Sequence, residues 1–102
     1  LRAVARLVET IEKVQDRINP ELIIDGVLAT MVDGRTLHSK EVIGRLVEAF
    51  GDRVFETVIN RSIKFADATV AAEPITTFAP NHPGAKNYQQ LARELICRGG
   101  AP

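Results

Sequence analysis

Gly26-Val27-Leu28-Ala29-Thr30-Met31-Val32-Asp33-Gly34-Arg35-Thr36 is an apolar run that passes directly into a polar, glycine-containing loop. From Ile23 to Val32 the chain is nearly continuous in apolar, often β-branched residues, the pattern of a strand covered on both faces and hence of a parallel sheet. In open α/β sheets ligands bind beyond the carboxyl ends of the strands, so Thr30, Asp33 and Arg35 stand where a ligand is expected. A loop aspartate commonly hydrogen-bonds its own backbone, and that is the role expected of Asp33.

Upstream of this run, Val4, Leu7, Val8, Ile11, Val14 and Ile18 recur at three- and four-residue steps, predicting an opening helix that stops before Asn19-Pro20. It begins at Leu1 without a capping residue, so the chain is expected to start inside an element, as a fragment does. Downstream, Ser39 is the expected cap of a second helix, with Glu41 in its first turn and Val42, Ile43, Leu46, Val47 and Phe50 inward. Gly51 ends it. Val54 to Ile59 reads as a second strand, and strand, helix, strand implies a right-handed crossover if the strands are parallel neighbours. A short helix is expected over Lys64 to Ala72, an extended stretch over Ile75 to Phe78, and a turn at Pro80-Asn81-His82-Pro83-Gly84. Pro83 suits the first position of a last helix. Its expected inward stripe is Tyr88, Leu91, Ala92, Leu95 and Ile96, and Arg98-Gly99-Gly100 closes it.

The 102 residues allow one small domain at most, and 13 basic side chains balance 13 acidic ones. Bulk electrostatic attraction to nucleic acid or anionic lipid is therefore not the signal, and any such contact must be local. Cys97 has no second cysteine to pair with, and no apolar run approaches the roughly 18 residues of a membrane span. His38 and His82 lack the spacing of metal ligands, Ser39 has no identifiable base, and Cys97 has no clear cationic neighbours; no metal or catalytic residue is assigned.

The run Gly26-Val27-Leu28-x-Thr30-Met31-x-Asp33-x-Arg35-Thr36, followed by Phe50-Gly51-Asp52-Arg53-Val54-Phe55-Glu56-Thr57-Val58-Ile59, resembles the C-terminal part of ParA/Soj-type partition ATPases. These are deviant P-loop NTPases related to MinD. The resemblance continues through Arg61-Ser62-Ile63-Lys64, Glu73-Pro74-Ile75, Pro80, Gly84-Ala85 and Leu91-Ala92-Arg93-Glu94. It implies an α/β fold: residues 1–102 as a single partial domain, the C-terminal half of a doubly wound, mostly parallel P-loop NTPase fold, with two parallel strands and three or four helices in this chain. The N-terminal half with the phosphate loop would be absent. No Gly-x-x-x-x-Gly-Lys-Ser/Thr sequence occurs in the chain, so it is not expected to hydrolyse ATP alone.

By the same resemblance, the loops after the two strands flank the adenine of ATP, and the nucleotide-binding positions fall on Met31, Asn60 and Ser62. The family usually has proline where this chain has Asn60 and asparagine where it has Ser62. Read from the residues alone, Met31 is a core side chain and Asn60 a turn former; alternatively, a flexible Met31 lies on a purine face and Asn60 meets its edge. Arg35 and Lys64 match positions that contribute to sequence-independent DNA binding, with Lys40 and Arg61 nearby; on composition alone they are solvated surface charges. The complete protein is expected to use ATP and Mg, to form a homodimer, to bind nonspecific DNA and a ParB-type partner, and to be cytoplasmic and nucleoid-associated, with no membrane. Two other readings stand beside it. One is a MinD-like membrane-cycling ATPase, although the chain ends in Arg98-Gly99-Gly100-Ala101-Pro102 and not in a basic amphipathic helix. The other is a non-catalytic α/β interaction domain.

Overall fold

The computed structural model describes residues 2–99, so the expected closing position at Gly100 lies outside the described residues. The opening helix, α1, runs Arg2–Arg17. Val4, Val8 and Ile11 lie three or four residues apart and pack on one apolar cluster, whereas Leu7 and Ile18 are exposed. The Asn19 amide turns back to the Val14 carbonyl at 2.8 Å before Pro20 stops the helix. Gln15 Nε2 then donates to the Leu22 carbonyl, tying the following loop to α1.

Strand β1 covers Val27–Val32 and starts four residues later than its apolar run. Its partner β2, Val54–Asn60, is parallel to it, and Val54 lies opposite Val27. Pairing therefore begins there, and Ile23 is left exposed. The two strands form a two-stranded sheet among the described residues. The register is broken twice. Between Val27 and Ala29 two steps on β1 face four on β2, from Val54 to Val58; between Ala29 and Val32 three steps face the two from Val58 to Asn60. The second irregularity resets the alternation of sides, so that Ala29 and Val32, an odd number of residues apart, pack into the same apolar cluster.

Helix α2 spans Leu37–Phe50. Its cap is Thr36, not Ser39: Thr36 is extended, and its Oγ1 accepts from the Ser39 amide at 3.2 Å. The cap hydroxyl must sit just before the first helical residue to reach this amide, which places Ser39 inside the first turn and Glu41 beyond it. Leu46 and Phe50 are buried with Ala29, and Val42 and Ile43 pack beside them; Val47 is exposed. Gly51 ends α2 at φ +62, a conformation that glycine adopts without steric cost.

Helix α3 covers Lys64–Val70. Ile75–Phe78, expected to be extended, is a single helical turn, α4. The Pro74 carbonyl accepts from the amides of Thr77 and Phe78, and the turn seats Ile75 and Phe78 in a second apolar cluster around Ala68 and Ala85. Tertiary packing overrides the β preference of Ile-Thr-Thr. Helix α5 spans Pro83–Cys97, with Pro83 in its first turn. Its most buried positions are Gly84 and Ala85, while Leu91 and Leu95 are half-buried. Ala92 and Ile96, expected inward, face out, and Tyr88 is partly exposed.

Helices α1 and α2 cover one side of the sheet and α5 covers β2 on the other. The α5 side of β1 is open among the described residues: Thr30 and Met31 are exposed, so β1 is not covered on both faces. No helix among the described residues is long and apolar enough to cross a membrane.

Candidate functional site

The parallel pairing sets the carboxyl ends of β1 and β2 side by side. Val32 lies opposite Asn60, and the Arg61 amide donates to the Val32 carbonyl at 2.9 Å, extending the pairing one residue into the loops. One sheet edge thus carries Met31 to Thr36 from β1 and Asn60 to Lys64 from β2.

Met31 is the residue that accommodates the second register break. It has φ +56, a left-handed conformation that costs a non-glycine residue roughly 1–2 kcal/mol, and it is 52% exposed. Such bulges re-aim side chains beside ligand sites. Here Met31 borders two pockets of about 510 Å³ each. One, shared with Asp33, Thr36, Ser39 and Arg61, lies between the end of β1 and α2. The other, shared with Phe65, Ile75 and Tyr88, lies over α3 and α4. Phe65 and Tyr88 meet edge to face at 5.9 Å. The core placement that composition gave Met31 is therefore not what the fold adopts.

Asp33 closes the β1 loop as expected. Its Oδ1 accepts from the Arg35 amide at 3.1 Å, and its carbonyl accepts from the amide and hydroxyl of Thr36. Its carboxylate also pairs with the Arg35 guanidinium, Nε to Oδ1 at 3.1 Å. The side-chain bond from Arg35, its amide and its charge, with Arg61 adding a little, hold the Asp33 carboxyl below its usual range. The Arg35 guanidinium is raised in return. Arg35 remains 91% exposed, so it is available to a ligand while leaning on Asp33.

In the β2 loop, Asn60 is exposed at the strand end and Ser62 is half-buried. Ser62 Oγ accepts from the Lys64 amide at 3.1 Å and lies 3.3 Å from His82 Nε2. His82 is the cap of α5: its Nδ1 accepts from the Gly84 amide at 2.9 Å. Lys64, the first residue of α3, has an exposed side chain. The structure therefore groups Met31, Asn60 and Ser62 at the two strand ends, with Arg35 and Lys64 in the same pair of loops.

Two residues, one at this edge and one further back along β2, make contacts that the sequence does not announce. His82-Pro83-Gly84 signals a helix start, but nothing in sequence links His82 to Ser62, twenty residues away. Glu94 is the other. Its carboxylate accepts from the consecutive amides of Glu56 and Thr57 at 2.8 and 2.9 Å and from the Thr57 hydroxyl at 2.7 Å. Consecutive amides of a regular strand point to opposite edges; here the first register break turns both toward one carboxylate. Burial pushes the Glu94 carboxyl up, but the Thr57 hydroxyl, the two amides and the nearby Arg98 outweigh it and hold it below its usual range. Arg98 pairs with Glu94 at 3.2 Å, donates to the carbonyls of Arg53 and Val54, and lies 4.4 Å over the Phe55 ring.

No family model matches the chain. It is 55% identical over 100 residues to an uncharacterised protein of Mycobacterium tuberculosis, covering 98% of this chain and 31% of that protein. It is 43% identical over 98 residues to the chromosome-partitioning ATPase Soj of Thermus thermophilus, covering 96% of this chain and 39% of Soj. Against the chromosome partitioning protein ParA of Caulobacter vibrioides it is 36% identical over 98 residues, covering 96% and 37%. The chain thus spans between 31% and 39% of the length of these curated relatives. Identity at this level over an alignment that spans nearly the whole chain, on a parallel α/β frame, supports the chain as part of a ParA/Soj-type protein, matching rather more than a third of its length.

Proposed function

We propose that the chain supplies the base-binding and DNA-facing edge of a ParA/Soj-type chromosome or plasmid partitioning ATPase. The observation that supports this most directly is the side-by-side placement of the two strand-end loops, joined from Arg61 to Val32. An exposed, left-handed Met31 offers a flexible apolar surface for a purine face, and Asn60 and Ser62 offer polar atoms to its edge. These residues fit the base of ATP. They do not fit its phosphates or Mg: the sequence has no phosphate loop, and the described residues gather no group of three metal-ligating side chains. Those contacts would come from residues outside this chain, as an N-terminal half of the fold provides. Bound ATP supplies the hydrolysable phosphate that drives the cycle of homodimerisation, nonspecific DNA binding and release by a ParB-type partner. In that cycle the protein works in the cytoplasm on the nucleoid.

Arg35 and Lys64 are the DNA-facing cations of this reading. In the full-length protein with ATP, Arg35→Glu and Lys64→Glu are expected to weaken binding to DNA of any sequence while leaving ATP affinity nearly intact. Each removes a phosphate contact, so the slope of log affinity against log salt should fall by about one. Lys13, on the exposed side of α1, is the control for charge alone. Equal weakening by Lys13→Glu would reject the specific patch.

A further inference from the structure

The His82 ring joins two structures that sequence keeps apart, the cap of α5 and the loop after β2. The Gly84 amide can only donate, so His82 Nδ1, 2.9 Å away, must carry a lone pair. The ring proton of the neutral imidazole is then on Nε2, and Nε2–H donates to Ser62 Oγ at 3.3 Å. The Lys64 amide donates to the same oxygen at 3.1 Å. Both acceptor positions of the hydroxyl are thereby occupied, and its own proton is directed away from His82 and Lys64. Among the described residues no acceptor takes that proton.

From this geometry we infer that His82 is a positioning residue that makes the Ser62 hydroxyl an obligate hydrogen-bond donor at the strand-end site. A ligand group seated against Ser62 must then present an acceptor, a ring nitrogen or an oxygen, and groups presenting N–H or O–H are disfavoured there. The inference rests on the proposed nucleotide reading for the identity of the ligand, and on the two bonds of His82 for the direction of the proton. It also gives α5 a role beyond covering β2. The helix start fixes the polarity of a hydroxyl whose position it does not share in sequence.

The test is nitrogen NMR of the His82 ring in the full-length protein, assigned by loss of its signals in His82→Ser. Serine keeps an oxygen to cap α5 but is too short to reach Ser62. The expected spectrum has Nε2 protonated and Nδ1 bare, and Ser62→Ala moves the Nε2 resonance while leaving Nδ1 in place. A protonated Nδ1, or an Nε2 resonance indifferent to Ser62→Ala, overturns the proposal. ATP titrations then test whether the hydroxyl acts on the nucleotide. Ser62→Ala and His82→Ser should each lower affinity by about tenfold, the worth of one hydrogen bond, and the double variant by no more than either. Multiplying losses overturn positioning through Ser62. Unchanged ATP affinity in Ser62→Ala, with the ring spectrum as expected, upholds the positioning and rejects the nucleotide reading.

Discussion

Glu94 ties α5 to β2 through a single carboxylate. Three donors from β2 and one from Arg98 converge on its carboxylate, which is 17% exposed. Removing it takes the shared acceptor from two backbone amides and a buried hydroxyl, and leaves Arg98 with the carbonyls of Arg53 and Val54 and the Phe55 ring. Unmade bonds to partly buried donors cost about 1–3 kcal/mol, so Glu94→Ala is expected to destabilise by about 2–3 kcal/mol in denaturant titration. Glu94→Gln keeps an accepting oxygen and should cost less. The two variants also define a pH dependence. A carboxyl held below its usual range in the folded state contributes stability above its unfolded pKa of about 4.3, and that contribution is lost as pH falls through the lower folded value. The gap in stability between the unsubstituted protein and Glu94→Gln should therefore be constant near neutrality and close below about pH 4. A gap that persists undiminished at pH 2 would mean that the charge of Glu94 is not what β2 uses.

Strand β2 meets the loop before β1 through Gly26 and Phe55. A Cβ at Gly26 would clash with the tip of the Phe55 ring, and Arg98 lies over that ring at 4.4 Å, leaving it little room to turn. Gly26→Ala is expected to cost about 1–3 kcal/mol, as overpacking does. Gly34→Ala, with nothing within 4 Å of the added methyl, should stay within about 0.5 kcal/mol. Thermal melts of the two variants measure the difference. The same pair of strands shows what the sequence could and could not carry. The three-and-four spacing of Val4, Val8 and Ile11 and the apolar density of Ile23 to Val32 are local properties, and they announced a helix and a parallel strand, although the strand starts only at Val27 and one of its faces is open. The breaks in register are not local. Met31 turns left-handed because β1 has one step more than β2 over that interval, and Glu56 and Thr57 turn together because Glu94, nearly forty residues on, receives them. The strand ends could thus be located from residues, but the outward aim of Met31 and the His82 contact to Ser62 depend on packing that no short window contains. Thr36 and Ile75–Phe78 differ for a related reason. Ser39, a residue type that caps helices, stands three residues inside the helix that Thr36 caps, and a β-branched triplet was drawn into a helical turn by the pocket that Ile75 fills.

The molecule as a whole exposes more surface than its size requires. Its accessible area is 7480 Å², whereas a folded monomer of this mass has about 5,700 Å². The radius of gyration, 15.5 Å, likewise exceeds the roughly 13 Å of a compact chain of this length. The excess is roughly twice the area that one partner contributes to a standard protein interface. Much of it is apolar, including Ile18, Ile23, Leu37, Ile63 and Val70, each more than 70% exposed. The outer edge of β1 adds unpaired backbone groups among the described residues, and such edges recruit other strands. These 102 residues in isolation are therefore expected to self-associate and to unfold over a broad denaturant range, because neither apolar cluster is closed. Sedimentation should show species larger than a monomer, and the midpoint of unfolding should rise with concentration. A monomer that unfolds cooperatively with several kcal/mol of stability, as small domains do, would mean that the two clusters suffice and that the open face of β1 needs no cover. Supplying the N-terminal half of a ParA/Soj-type relative in trans should suppress the self-association if strands from that half pair with β1. If it does not, the exposed residues serve contacts between copies of this chain, and the half-fold reading fails at the one surface where it is most exposed to test.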